Sequence, residues 1–275
     1  MRVNLLVLDL DGTVLDSRGR LPEAVREAVR RLGAKGVAAA LASARPPRSL
    51  RPFAQALELT GPAICYNGAM VVDLATRQVL THNPIPLALA REVIGALKAI
   101  DPAALVTAEV ADIGYAEPNW QPATATDRSG FHPTIVADLA RDLREDVTKL
   151  LASGPNRYRE RAGEALAAAF GGKVSVTRSD TDLVQVMNGG VTKVAALRFL
   201  AGRLGVPRER IAAIGDAPND IEMLRYAGCG IAMGNAPAEV KAAARHVTAT
   251  NDEAGVALAI ERWVLAPGDG ADAAQ

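Results

Sequence analysis

The sequence predicts an α/β protein: a doubly wound, parallel-sheet core interrupted by an inserted α+β domain. Three observations predict it. The chain opens on an almost unbroken aliphatic run, "VNLLVLDL", of the kind that parallel strands buried on both faces require. Strand-like and helix-like segments then alternate, first up to about residue 66 and again from Thr192 onward, which is the signature of crossover connections in a parallel sheet. Between these stretches, residues 84–187 change texture to proline-rich loop material and adjacent strand-like runs.

Taken in order, residues 3–9 predict a strand, and 22–35 ("PEAVREAVRRLGAK") a helix with apolar residues at helical spacing after Pro22, a favoured first helical residue. "GVAAALAS" predicts the next strand, 47–58 a helix, and 62–66 a strand that enters a hairpin with Asn67-Gly68 as its turn. The inserted segment contains the loop "YAEPNWQPATATDRSGFHP", the strand-like "VTKLLAS", the helix "RYRERAGEALAAAF" and the runs "KVSVT" and "LVQVMN". The alternation then resumes: helix 192–204, strand "RIAAIGD", helix 219–227, strand "CGIAMG", helix 237–244, strand "HVTAT" and helix 252–262. Residues 1–83 and 188–275 are therefore expected to form one core, with 84–187 as a separate domain.

Bulk composition narrows the function. At 275 residues, 49% of them hydrophobic, the chain has material for two cores. Its 31 basic residues balance its 31 acidic ones, so no global field recruits nucleic acid or an anionic membrane. Cys65 and Cys229 each sit in apolar sequence and read as small buried hydrophobes. Neither a signal peptide nor a membrane span is apparent, so a cytoplasmic protein is expected, a monomer or weak homodimer. The tail "APGDGADAAQ" is expected to be poorly ordered.

The chemistry stands at the strand ends, where ligands of open α/β sheets bind. Strand alternation puts Asp9 and Asp11 on one face, with Gly12 turning the chain over them. Two carboxylates so close need a cation or a proton between them, and a hard oxygen set suits Mg²⁺ together with substrate phosphate oxygens. Ser43 and Arg45 follow the second strand and offer a hydroxyl and a cation to a phosphate. "DAPND" supplies Asp216, Asn219 and Asp220 after a later strand. Lys193 falls in the first turn of a helix, where the dipole disfavours a cation, and a phosphate held there would explain it.

In order, "DLDGT", "ASAR", "GGVTK" and "GDAPND" resemble the four signature motifs of the haloacid dehalogenase-like phosphatases, specifically the Cof-type group with a type IIB cap. The resemblance implies a Rossmann-like core and a cap that closes over the site and reads the leaving group. It implies that Asp9 attacks phosphorus to form an aspartyl-phosphate and that Asp11 acts as general acid, then base. Mg²⁺ would be bound by Asp9, the backbone carbonyl of Asp11 and Asp216, with Asn219 and Asp220 orienting the Asp216 side. Ser43, Ala44, Arg45 and Lys193 would hold the phosphate of a small metabolite, with Asn67 and Gly68 at the substrate edge. Trp120, Asp127, Arg128 and His132 are candidate cap contacts. Two departures stand out: Ser43-Ala44-Arg45 replaces the common Thr-Gly-Arg, and the family's "PKGVSKG" reads here as "MNGGVTKVA", with Asn188 at the lysine-adjacent position and Val194 for the glycine after the lysine. A sugar phosphomutase on the same scaffold is the nearest alternative. A phospho-accepting signalling module lacks both the insertion and the second acid.

Overall fold

The computed structural model describes residues 2–120, 132–155, 157–178 and 183–265. It divides into two compact units, Met1–Leu80 with Thr192–Gln275, and Thr81–Val191. The expected cap contacts Asp127 and Arg128, and the terminal tail 266–275, lie outside the described residues.

The first unit begins with β1, Leu5–Leu8, buried at every position. Helix α1, Glu23–Ala34, buries Val25, Ala28, Val29 and Leu32, one stripe at helical spacing. Strand β2, Ala38–Leu41, helix α2, Pro47–Ala56, and β3, Pro62–Cys65, follow. Strand β3 pairs antiparallel with β4, Met70–Asp73, through the turn at Asn67-Gly68, and β5, Val79–His82, completes this small sheet.

The second unit contains α3, Leu87–Ile100, β6, Leu105–Val110, β7, Ile113–Ala116, β8, Thr134–Ile135, and α4, Leu139–Asp142. It continues with β9, Lys149–Ser153, α5, Tyr158–Phe170, β10, Val174–Arg178, and β11, Val184–Asn188. Its six strands run β10-β11-β9-β6-β7-β8, antiparallel apart from the β7–β8 pair. The sequence reading assigned nothing regular to α3, β6 or β7. The signal was present: Ala90, Val93, Ile94 and Leu97 are buried at helical spacing, next to a proline-rich loop that dominates the local composition.

The chain then returns to the first unit with α6, Lys193–Leu204, β12, Ile211–Gly215, α7, Ile221–Tyr226, β13, Cys229–Ala232, α8, Ala238–Ala243, β14, His246–Val247, and α9, Gly255–Ala259. The resulting parallel sheet has the order β14-β13-β12-β1-β2, with Leu5 of β1 in register with Ile211 on one side and Ala38 on the other. Strand β1 is therefore an interior strand, and its carboxyl end lies between those of β12 and β2. The α/β class is as expected, but the last helix is not the continuous 252–262: Ala254, at φ +55°, separates a short 3₁₀ turn from α9. Both cysteines are buried. Among the described residues no helix is long and apolar enough to cross a membrane.

Candidate active site at the strand ends

Strand β1 stops at Leu8, and residues 10–14 wind into a π-helical turn whose interior breaks at Asp11 (ψ 121°) and Gly12 (φ 80°). Strand alternation therefore does not govern the two acids, which corrects the argument from spacing. Asp9 turns inward and is 5% exposed. The carboxylate of Asp11 instead takes a two-pronged ion pair from Arg45, Nε to Oδ2 at 2.8 Å and Nη2 to Oδ1 at 2.5 Å, at the exposed edge of the site. Gly12 is required twice over. Its φ suits glycine, and a Cβ there would overlap the Asp216 carboxylate.

Asp9, Asp216 and Asp220 each place a carboxylate oxygen within 4.8 Å of the others. One cation serves this cluster from inside the protein: Lys193 Nζ donates to Asp9 Oδ1 at 2.5 Å and to Asp220 Oδ1 at 2.7 Å, with the lysine 1% exposed. The lysine in the first turn of α6, read from sequence as awaiting a phosphate, is thus already explained by two carboxylates. Helix α6 is separately capped by the Thr192 hydroxyl, which accepts from the Ala195 N–H. Asp220 is fully used: its Oδ2 accepts from the backbone N–H groups of Asp216 and Ala217. It orients the strand end rather than offering itself outward. Thr13 Oγ1 donates to Asp216 Oδ1 at 2.8 Å, tying the turn after β1 to the end of β12.

The electrostatics follow from three acids sharing one ammonium. Burial pushes Asp216 up to about 6 despite the Thr13 hydrogen bond, with the Asp220 charge adding to the rise. Burial likewise raises Asp9 well above the usual carboxylate range, partly offset by Lys193 and reinforced by Asp220 and Asp216. For Lys193, burial alone would depress the ammonium, but the charges of Asp220 and Asp9 and their hydrogen bonds hold it above its ordinary value. A cluster of oxygen donors with excess negative charge, in which Asp9 and Asp216 resist ionising, fits a hard divalent cation. The Asn219 Oδ1, buried without a hydrogen-bond partner, leaves a further acceptor beside the cluster.

The remaining predicted residues form the rim. Ser43, 1% exposed, follows β2; its N–H donates to the Ile64 carbonyl, and its Oγ accepts from the Arg45 N–H, so Ser43, Ala44 and Arg45 form a tight turn. The Asn67 N–H donates to the Ser43 carbonyl, and Asn67 Oδ1 accepts from Asn219 Nδ2 at 2.9 Å, linking the ends of β3 and β12. Gly68, at φ +105°, has a role that sequence reading did not find: a Cβ there would overlap the Thr192 carbonyl. Its absence lets the start of α6, and with it Lys193, approach. Trp120 and His132 belong to the second unit, in its irregular stretch.

Three residues have a part in the site that the sequence does not assign them. Besides Thr13, Asn235 Nδ2 donates to the Gly12 carbonyl and Asn251 Nδ2 to the Leu15 carbonyl, each at 2.9 Å. The asparagines follow β13 and β14, so asking what stands beyond every strand end, rather than beyond four of them, would have found them.

A family model described as haloacid dehalogenase-like hydrolase matches residues 6–260. The 5-amino-6-(5-phospho-D-ribitylamino)uracil phosphatase YitU of Bacillus subtilis is 32% identical over 267 residues, covering 94% of this chain and 97% of its own. The pyridoxal phosphate phosphatase YbhA of Escherichia coli is 32% identical over 263 residues, covering 91% and 95%. The crystal structure of a haloacid dehalogenase-like hydrolase from Bacteroides thetaiotaomicron superposes with a TM-score of 0.86 at 30% identity, over 95% of this chain and 99% of that one.

Proposed function

Because the chain belongs to the haloacid dehalogenase-like hydrolases, we propose that it is a phosphatase that cleaves a small phosphomonoester through an aspartyl-phosphate on Asp9. The observation that carries this reading is the position of Asp9: a buried carboxylate at the end of an interior strand of the parallel sheet, 2.5 Å from the Lys193 ammonium and grouped with Asp216 and Asp220. A carboxylate held beside fixed positive charge can meet a phosphate in line and form a covalent bond to phosphorus.

Asp9 and Asp216 would hold the cation, with the Asp11 backbone carbonyl as a further oxygen; Mg²⁺ is the cation proposed, on the hardness of this donor set. When bound, it neutralises phosphate charge and so removes the repulsion between anion and anion. Asp220 keeps the Asp216 backbone in place, and Thr13 fixes one oxygen of the Asp216 carboxylate. Lys193 and the Ser43 hydroxyl hold the equatorial oxygens, where charge collects in phosphoryl transfer. Asp11, at the exposed edge, protonates the departing alkoxide and then takes a proton from the water that frees Asp9. For that transfer its carboxyl must leave the Arg45 fork seen here, and Arg45 is then available to the substrate phosphate.

The substrate class proposed is a phosphorylated sugar, sugar alcohol or related metabolite. YitU is named for a ribityl phosphate and YbhA for pyridoxal phosphate, at the same identity to this chain, so the leaving group is set by residues that overall similarity does not track. We assign that selection to the inserted unit. The test of the chemistry is Asp9→Asn assayed on an aryl phosphate with Mg²⁺: phosphate release should vanish while the fold is kept, and activity surviving in the variant would remove Asp9 as nucleophile.

A further inference from the structure

We propose that Asn235 is a positioning residue that sets the cation site by holding the Gly12 carbonyl, an inference resting on the phosphatase reading only where turnover is concerned. The turn carrying Asp9 and Asp11 lacks a regular helical ladder, since Asp11 and Gly12 leave helical backbone. The Leu10 carbonyl accepts the Leu15 N–H within the turn, whereas the Gly12 carbonyl is satisfied from outside it. Asn235 Nδ2 donates to the Gly12 carbonyl at 2.9 Å, and Asn235 Oδ1 accepts the Asn251 N–H at 3.0 Å. Asn251 Nδ2 then donates to the Leu15 carbonyl at 2.9 Å. The orientation of the Asn235 amide is forced, because a carbonyl can only accept and a backbone N–H can only donate. Asp252 adds a third clip, accepting from the Ser17 N–H at 2.8 Å.

This relay matters because of what Gly12 touches. Its Cα lies against the Asp216 carboxylate with no room for a Cβ, and the adjoining Thr13 donates to Asp216 Oδ1. Moving the Gly12 peptide therefore moves Asp216 relative to Asp9, three residues upstream. The hydrogen bonds of the Asn235 side chain go to the Gly12 carbonyl and the Asn251 N–H rather than to either acid, so it acts through the turn and fixes the spacing of the two carboxylates that would hold the cation. The ends of β13 and β14 thereby contribute to a site whose acids come from β1 and β12.

The test compares Asn235→Asp, Asn235→Ala and Asn251→Asp with the wild type. Mn²⁺ affinity is measured by titration calorimetry, kcat and KM on an aryl phosphate with Mg²⁺, and the thermal midpoint in chelator. Asn235→Asp keeps the acceptor for Asn251 and removes only the donor to Gly12. Its added negative charge would by itself strengthen cation binding, so weaker binding reports the lost donor. Both Asn235 variants should bind Mn²⁺ about tenfold more weakly, the scale of one hydrogen bond. They should lose kcat by a similar factor at unchanged KM, with Asn251→Asp milder. Wild-type Mn²⁺ affinity in both Asn235 variants would overturn the proposal, as would an Asn235→Asp protein that retains function while Asn235→Ala loses it. A wild-type protein that binds Mn²⁺ but releases no phosphate would defeat the phosphatase reading alone, leaving the affinity comparison to decide the role of Asn235.

Discussion

Lys193 Nζ and Asp9 Oδ1 lie 2.5 Å apart in an ion pair closed to solvent, joining the first residue of α6 to the end of β1 across 184 positions of sequence. The same ammonium reaches Asp220 at 2.7 Å, so one cation restrains two of the three clustered acids. Removing one partner of a buried pair leaves the other's charge uncompensated, a loss of about 3–5 kcal/mol in comparable cases. Lys193→Met should therefore lower the thermal midpoint and cut kcat by roughly 10²–10³, the scale for losing one stabilising contact to transition-state charge. Stability by thermal melt and turnover on an aryl phosphate check the two effects separately, and a variant as active as the wild type would exclude Lys193 from the chemistry.

Asp11 sits outside the carboxylate cluster, paired with Arg45 at an exposed edge. Its replacement by Asn should change stability by less than about 1 kcal/mol, as exposed ion pairs do. Its kinetic effect should depend on the leaving group: alkyl phosphates, whose alkoxide needs a proton, should slow far more than aryl phosphates. Equal losses on both substrates would argue against proton transfer by Asp11.

The cluster also predicts a pH dependence. Asp216 is raised from 3.8 to about 6 by burial, and Asp9 is raised as well. A carboxyl whose folded-state pKa exceeds its unfolded value binds more protons when folded, so its contribution to stability is complete below the unfolded value and is lost as pH rises through about 6. In chelator the thermal midpoint should fall between about pH 4 and 6.5 on account of these acids. Added Mg²⁺ should restore it strongly at pH 7.5 and weakly at pH 5, where protons compete. Melts at the two pH values, with and without Mg²⁺, measure the difference; an equal Mg²⁺ effect at both would place the cation elsewhere.

Gly68→Ala probes the approach of α6. The glycine has φ +105°, and a Cβ would strike the Thr192 carbonyl, so both strain and displacement oppose the change. A loss of roughly 1–3 kcal/mol is expected. Activity should fall beyond what stability explains, because Lys193 follows Thr192 directly. Retained turnover in the folded variant would show that the start of α6 tolerates the shift.

Much of this was legible in the sequence because it is local. "LLVL" has no polar residue to expose, so it must be a buried strand; the helical stripe of α1 and the turn at Asn67-Gly68 follow from spacing and from backbone freedom. The order of acids at strand ends was legible too, since a parallel sheet gathers its carboxyl ends on one side. Helix α3 is less legible despite its periodicity, because it stands beside a proline-rich loop whose composition dominates the segment.

Local sequence was enough for the α/β class, for the strand ends where acids gather and for Asp9, Lys193 and Asp216 as candidates that the fold then groups together. How charge is shared among them depends on the folded arrangement: Lys193 answers Asp9 and Asp220, Asp11 pairs with Arg45 outside the cluster, and Asn235 and Asn251 hold the turn between. Spacing along a chain fixes which face a residue takes within one element. Partners separated by about two hundred positions meet only once the sheet has set the order of its strands, and a π turn in place of two further strand residues is enough to send Asp9 and Asp11 different ways.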